Sequence, residues 1–447
     1  MKTFFLHNFP NISSDIPRRR FLKHAAGAAA VVGSLPFLKC GTDNGGASLD
    51  EIQQAARNLP AGDAGGEKFW QAVKEQFPIR EGLVMVNAAN LCPAALPVQQ
   101  DIIRYTKDID TDASFVNRGK YNGMREEART ALAAYLGADA EEIALTRNTS
   151  ESNNVVISGL SLGRGDEVVI WDQNHPTANV AWDVRAERYG YAVKRVSTPT
   201  DAGSPDDFYK VFENALSSRT KVLAFSHVSN VSGEALPAKE ICAMARNRGI
   251  LTLVDGAQTF GIQALDLHDI GCDFYTGSSH KWFCGPKEVG VLYVRRELAE
   301  SLHPLIVGVG WEGAVNSGAK KFETLGQRDD SRVAAMKTAV DFHNAIGKER
   351  IEKRVRWIAQ TLKTGIRSMR PDVLLHTPVD QSMSLGVVVF MHEKIDRGSA
   401  ANMLYEKYNI GCAAMGGTYG GVRFSPHLYN TQDDIDVLLS AVKQLTA

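Results

Sequence analysis

Short apolar runs alternate with amphipathic stretches along most of the chain, and the alternation predicts its elements in turn. Residues 51–78 have a polar helical pattern, and "GLVMVNAAN" (82–90) reads as a short strand entering a loop. A helix over 121–137 is closed by Gly137, and 142–160 read as strand, polar turn and helix. Strands are predicted at 166–172, 191–196, 221–228, 251–257, 273–278 and 289–296, with helices after 172 and at 206–218 and 237–249. Apolar runs of this length between amphipathic helices predict an α/β fold, its sheet mostly parallel and sandwiched by helices. After a glycine-rich loop at 308–318, helices over 331–370 lead to strands at 386–390 and 420–425 and a last helix from about Thr431. The predicted organisation is an N-terminal helical arm (46–80), a large domain (81–325) and a smaller C-terminal α+β domain (326–447).

Composition narrows the possibilities. The 447 residues are 44% hydrophobic with a formal net charge of −1, so no basic surface for nucleic acid is expected. No apolar stretch reaches the roughly 20 residues that span a bilayer as a helix. Six cysteines are scattered without CxxC spacing, which argues against a zinc site or a disulfide scaffold.

The first 45 residues differ from the rest. Arg18, Arg19, Arg20, Phe21, Leu22 and Lys23 precede a run of mostly small or apolar residues from Ala25 to Leu38, then Lys39. This reads as a twin-arginine export signal, a route that carries folded proteins, and predicts a periplasmic or exported enzyme that meets the export machinery. Lys39 fits a lipoprotein signal badly, so anchoring at Cys40 is not expected.

Candidate chemistry lies at the strand ends. In "TLVDGAQTFGIQALDLHDIGCDFYTGSSHKWFCGP", Asp255 ends one predicted strand and Gln258 follows it; Ser278, His280 and Lys281 end the next. Open α/β sheets bind ligands at such edges. An amine for an aldehyde, a carboxylate for a ring nitrogen and donors for phenolate and phosphate are what pyridoxal 5'-phosphate requires. Upstream, "TRNTSESNN" places Thr149 and Ser150 between strand and helix, where they suit a phosphate or simply a helix cap. His175 lies just beyond a strand, where an imidazole can stack on a pyridine. Asn230, beyond another, can donate to a phenolate or a substrate carboxylate. By contrast, "GVGWEG" (308–313) matches a dinucleotide fingerprint, but the residues after it have no helix pattern to hold a phosphate.

Taken in order, these blocks resemble the class V aminotransferase family of fold-type I pyridoxal phosphate enzymes, over roughly residues 80–440. "SHVSN" with "LPAKEICAMARNRGILTLVDGAQ" is similar to cysteine desulfurases, and "DFYTGSSHKWFCGPKEVGVLYVR" is similar to isopenicillin N epimerases. The resemblance implies that Lys281 takes the cofactor aldehyde and later moves the Cα proton. It implies that Asp255 pairs with the pyridine nitrogen, Gln258 contacts the phenolate oxygen and His175 stacks on the ring. Thr149, Ser150, Ser278 and His280 would bind phosphate, and Arg423 in "GGVRFS" would grip the substrate α-carboxylate. It further implies a homodimer with shared active sites, in which "FETLGQRDD" (322–330) reaches a neighbouring subunit's phosphate; Gln327 stands where relatives often carry threonine.

The expected activity is chemistry at the α-carbon of an amino acid or aminoacyl group, by transamination, epimerisation or elimination. Export combined with an epimerase-like lysine segment also resembles family members that tailor the glutamyl group of pyoverdine siderophores. A desulfurase or C–S lyase is the alternative, with Cys412 as the candidate nucleophile; set against the family pattern it falls before the loop "AAMGGTYGG", which has no cysteine. A non-catalytic binding protein on the same scaffold would not require Lys281. Arg118 is expected either to line the pocket or to form a surface ion pair.

Overall fold

The computed structural model describes residues 48–57 and 66–447; the predicted export signal lies outside the described residues. Seven strands form the central sheet. They are β2 (Ile143–Thr146), β3 (Glu167–Trp171), β4 (Ala192–Val196), β5 (Thr220–Ser226), β6 (Leu251–Asp255), β7 (Phe274–Ser278) and β8 (Gly290–Val294). Their spatial order is β2-β8-β7-β6-β5-β3-β4. All neighbours from β7 to β4 are parallel; β8 pairs antiparallel with both β7 and β2. Alternating residues bury on opposite faces, as a strand's period of two requires. Val222 and Ala224 of β5 join one apolar cluster with Val168 and Ile170 of β3, while Leu223 and Phe225 join another with Val169 and Trp171.

A four-stranded antiparallel sheet is built from β9 (Leu374–Leu375), β10 (Val388–Met391), β12 (Ala413–Met415) and β13 (Gly421–Phe424), in the order β12-β13-β10-β9. The helices Lys348–Met369 and Gln432–Thr446 pack on it, closing a third core around Ile358, Leu362, Val388, Phe390, Phe424 and Leu438. A short pair, β1 (Val84–Met85) with β11 (Ile410–Gly411), is parallel.

Most predicted elements are present within a few residues. Gly137 caps the helix Lys120–Leu136 in the left-handed conformation, φ 64°. The loop at 308–318 holds one helical turn, Trp311–Ala314, which the apolar pattern does not reveal. With four residues and Gly310 as its N-cap, this turn is too short to offer the helix N-terminus that a bound phosphate needs. Among the described residues, no helix is long and apolar enough to cross a membrane.

Candidate active site

Parallel strands deliver their carboxyl ends to one edge of the sheet, and that edge opens into a cavity of about 260 Å³. Thr149, Ser150, His175, Asn230, Asp255, Gln258, Ser278, His280, Lys281 and Arg423 all line it. Residues spread over 275 positions of sequence (149 to 423) are therefore brought together as read. Gly256 lets the Tyr275 ring pack against the chain just after Asp255, because a Cβ there would run into that ring.

Lys281 is the cavity's amine. Burial pushes its pKa down to about 8; Asp255 opposes the shift and Arg423 adds to it. Asp255 is itself fixed by two donors. Asn153 Nδ2 reaches Oδ2 at 2.9 Å, and the Ala257 amide reaches Oδ1 at 3.0 Å. Each carboxylate oxygen keeps a further lone pair for a protonated ring nitrogen.

Gln258 has a defined orientation. The Trp282 indole N–H can only donate, and it lies 2.7 Å from Gln258 Oε1. The amide nitrogen therefore faces the other way, spends one hydrogen on the Ala89 carbonyl at 3.1 Å and retains a second for a phenolate. His175 caps the helix Pro176–Tyr189, accepting from the Thr177 amide at 3.3 Å. Burial, then Lys281, holds its pKa below the usual imidazole value, which leaves a neutral, flat ring suited to stacking. His280 is pushed further, to about 4, by burial.

The Thr149 end of the cavity resolves an ambiguity left by the sequence. The cap of the helix Thr149–Gly159 is Asn148, whose Oδ1 accepts from the Glu151 amide at 2.9 Å. Thr149 and Ser150 are the first helical residues and are not needed as caps. Thr149 donates its amide to Ser278 Oγ at 2.8 Å, and the two hydroxyls lie 2.7 Å apart. Two hydroxyls and a helix N-terminus thus converge, a donor set that fits a phosphate dianion. Gly290 of β8 permits the approach, since a Cβ there would come within 2.7 Å of the Asn148 Cα.

Arg423, on β13, is 5% exposed. It donates to the Asn230 carbonyl at 2.9 Å and to Asn87 Oδ1 at 3.2 Å, while its Nε has no partner among the described residues. Burial lowers its pKa to about 10. Both bonds go to neutral oxygens, so the guanidinium remains without charge compensation and suits an incoming carboxylate. Asn230 lines the cavity, and its backbone carbonyl accepts from Arg423.

Other readings come out differently. Cys412 does not line the cavity; it sits between β11 and β12, half-buried against the core of the smaller sheet, its thiol raised to about 12 by burial. Arg118 also lies away from Lys281, with Gln327 Oε1 at 2.7 Å and Asp330 at 3.7 Å. Asn153, Asn87 and Trp282 were missed by the sequence reading. Asn153 alone carried a signal, as a polar residue one helical turn beyond Thr149 and Ser150.

The aminotransferase class-V family profile matches residues 106–438. The isopenicillin N epimerase of Amycolatopsis lactamdurans is 30% identical over 397 residues, covering 84% of this chain and 98% of that protein. A probable cysteine desulfurase of Methanothermobacter thermautotrophicus is 29% identical over 399 residues, covering 83% and 97%. Among solved structures, the apo cysteine desulfurase of Thermococcus onnurineus superposes with a TM-score of 0.74 at 24% identity over 84% of this chain and 97% of that one. A cystine C–S lyase in complex with cysteine persulfide superposes with 0.76, also at 24% identity, over 82% and 99%. The chain belongs to the class V aminotransferase family and is an enzyme whose cofactor is pyridoxal phosphate.

Proposed function

We propose that this enzyme moves a proton at the α-carbon of an amino acid or aminoacyl group, in the manner of an epimerase or transaminase. The observation that carries the reading is the uncompensated guanidinium of Arg423 in the same cavity as Lys281. A buried cation facing only neutral oxygens is stabilised by a carboxylate ligand, and an α-carboxylate places its Cα beside the amine.

The bound cofactor supplies an electron sink for negative charge at Cα. Around it, Asp255 would hold the proton on the ring nitrogen, Gln258 would donate to the phenolate, and Thr149, Ser150, Ser278 and His280 would hold the phosphate. Arg423 orients the substrate by its carboxylate. Lys281, with a pKa near neutrality, is suited both to accept the Cα proton and to return it. His175 would cover the ring and limit water.

A desulfurase that forms its persulfide on Cys412 is the weaker reading. That thiol packs against the smaller core and does not line the cavity, and the loop 416–420 offers no other sulfur. The finer proposals are export by the twin-arginine route, a homodimer, and a peptide-linked glutamyl substrate of the siderophore-tailoring kind. The sequence of residues 1–45 and the family resemblance support them.

The test is a screen of free and peptide-linked amino acids in deuterium oxide, scoring Cα deuterium, inverted enantiomer, keto product and sulfide together. Deuterium incorporation that disappears in Lys281→Ala is expected. Sulfide release from L-cysteine that requires Cys412 would overturn the reading.

A further inference from the structure

Cys92, Cys284 and His427 come from three distant parts of the chain: the segment after β1, the turn behind Lys281, and the segment after β13. Each is at most 1% exposed. The two sulfurs and a ring nitrogen of His427 lie within 4.8 Å of one another. None of the three lines the active-site cavity. Sequence spacing argued against a metal site because no CxxC pair exists, but here the fold assembles ligands that spacing cannot reveal.

The histidine supplies an independent pointer. Its Nε2 lies 2.7 Å from the Trp282 carbonyl, an acceptor only, so that nitrogen carries the proton. The Nδ1 lone pair is then free, and this atom is buried without a hydrogen-bond partner among the described residues. A metal-ligating imidazole is usually held in this way, with one nitrogen donating to a carbonyl and the other left for the ion. Cys92 Sγ lies 3.6 Å from Tyr429 Oη, Cys284 Sγ lies 3.8 Å from the Trp282 carbonyl, and the two thiols hydrogen-bond to each other.

We propose that Cys92, Cys284 and His427 bind one thiophilic d10 metal ion, zinc(II) or copper(I). Soft sulfur with imidazole and no carboxylate selects that class over magnesium or calcium. On binding, both S–H bonds break and two protons leave; the thiolates and Nδ1 donate electron pairs, and no oxidation state changes. With zinc the set is electrically neutral, which suits an apolar interior. The site would act by position. The Cys92 amide donates to the His280 carbonyl at 2.8 Å and the Cys284 amide to the Lys281 carbonyl at 3.0 Å, so an ion would pin the peptides on both sides of the reactive lysine.

The test uses holoenzyme produced with zinc and, separately, with copper under reducing conditions, each then dialysed against a chelator. Elemental analysis is expected to find about one ion per chain in at least one preparation. X-ray absorption is expected to show sulfur at about 2.3 Å and, for zinc, nitrogen at about 2.0 Å. Cys92→Ser, Cys284→Ala and His427→Gln should each lower the content about tenfold. Wild-type protein with less than a tenth of an equivalent of either metal would overturn the proposal. So would an ion bound only by nitrogen and oxygen, one retained in all three variants, or a native mass two hydrogens light from a Cys92–Cys284 disulfide.

Discussion

Asn153 Nδ2 donates to Asp255 Oδ2 at 2.9 Å, and Asn153 Oδ1 accepts from Thr276 Oγ1 at the same distance. The hydroxyl on β7 thereby fixes the amide, and the amide fixes the carboxylate. The helix that presents Thr149 and Ser150 also carries Asn153, so one element positions residues at both ends of the cavity. In Asn153→Ala, one hydrogen bond to a charged acceptor is lost, about 1.5 kcal/mol or roughly tenfold in pyridoxal phosphate affinity. Fluorescence titration of the apoenzyme measures it. Asp255→Asn is expected to retain more affinity but lose about 100-fold in turnover, because charge rather than shape is removed. Equal turnover in Asp255→Asn and wild type would remove the carboxylate's electronic role.

Arg423 gives a prediction with opposite signs in two assays. Its lowered pKa means that the charged form is disfavoured by folding. Below about pH 10 the stability that a neutral group would keep is lost, so Arg423→Met should raise the melting temperature of ligand-free protein. The same variant should raise KM for α-carboxylate substrates by roughly 10- to 100-fold, and Arg423→Lys by less. An α-carboxamide analogue should barely register either change. If Arg423→Met melted lower at every pH while KM stayed unchanged, the guanidinium would be structural.

Lys281 sets a pH dependence. With a pKa of about 8, roughly a tenth of the amine is neutral at pH 7, against well under a thousandth at the ordinary value. Cofactor uptake by the apoenzyme, followed by absorbance, should rise with pH and level off above about 8. Asp255 raises the value and Arg423 lowers it. The midpoint should therefore fall in Asp255→Asn and climb in Arg423→Met. A midpoint near 10 in wild type, or shifts of the reverse sign, would contradict the geometry.

The strand ends were legible because the signal is local. A buried parallel strand is largely an apolar run, so the polar residues that close it, Asp255 and Ser278, announce the edge of the sheet, and Asn230 lies in the polar segment that follows β5. Roles that depend on a distant partner were not legible. Trp282 looks like core, and its indole orients Gln258 only because a turn brings position 282 back to 258. Asn87 resembles loop filler until β13 presents Arg423 to it. The hairpin of β12 and β13 and the pairing of β1 with β11 involve strands of two to four residues, too short to show a period.

Glu234 was likewise invisible to a sequence reading and supplies the last prediction. It is 3% exposed, and its Oε2 accepts from Thr198 Oγ1 at 2.5 Å and from Gln173 Nε2 at 2.9 Å. Gln173 Nε2 also lies 3.0 Å from Tyr419 Oη, which ties the loop 416–420 to a residue two positions before His175. Burial pushes the Glu234 carboxyl up to about 7, against two hydrogen bonds that pull it down. A raised folded-state pKa contributes stability that is fully present below the unfolded value, near 4.5, and is lost as pH rises through 7. Glutamine keeps the acceptor oxygen and cannot ionise. Glu234→Gln should thus be close to wild type in stability at pH 4.5 and gain on it through pH 7, reaching ~3 kcal/mol by pH 8. Denaturant melts at several pH values give the difference directly. A gap that narrows as pH rises would mean the ionised carboxylate is stabilised where it sits, and that Gln173 holds Tyr419 through a charged rather than a neutral partner.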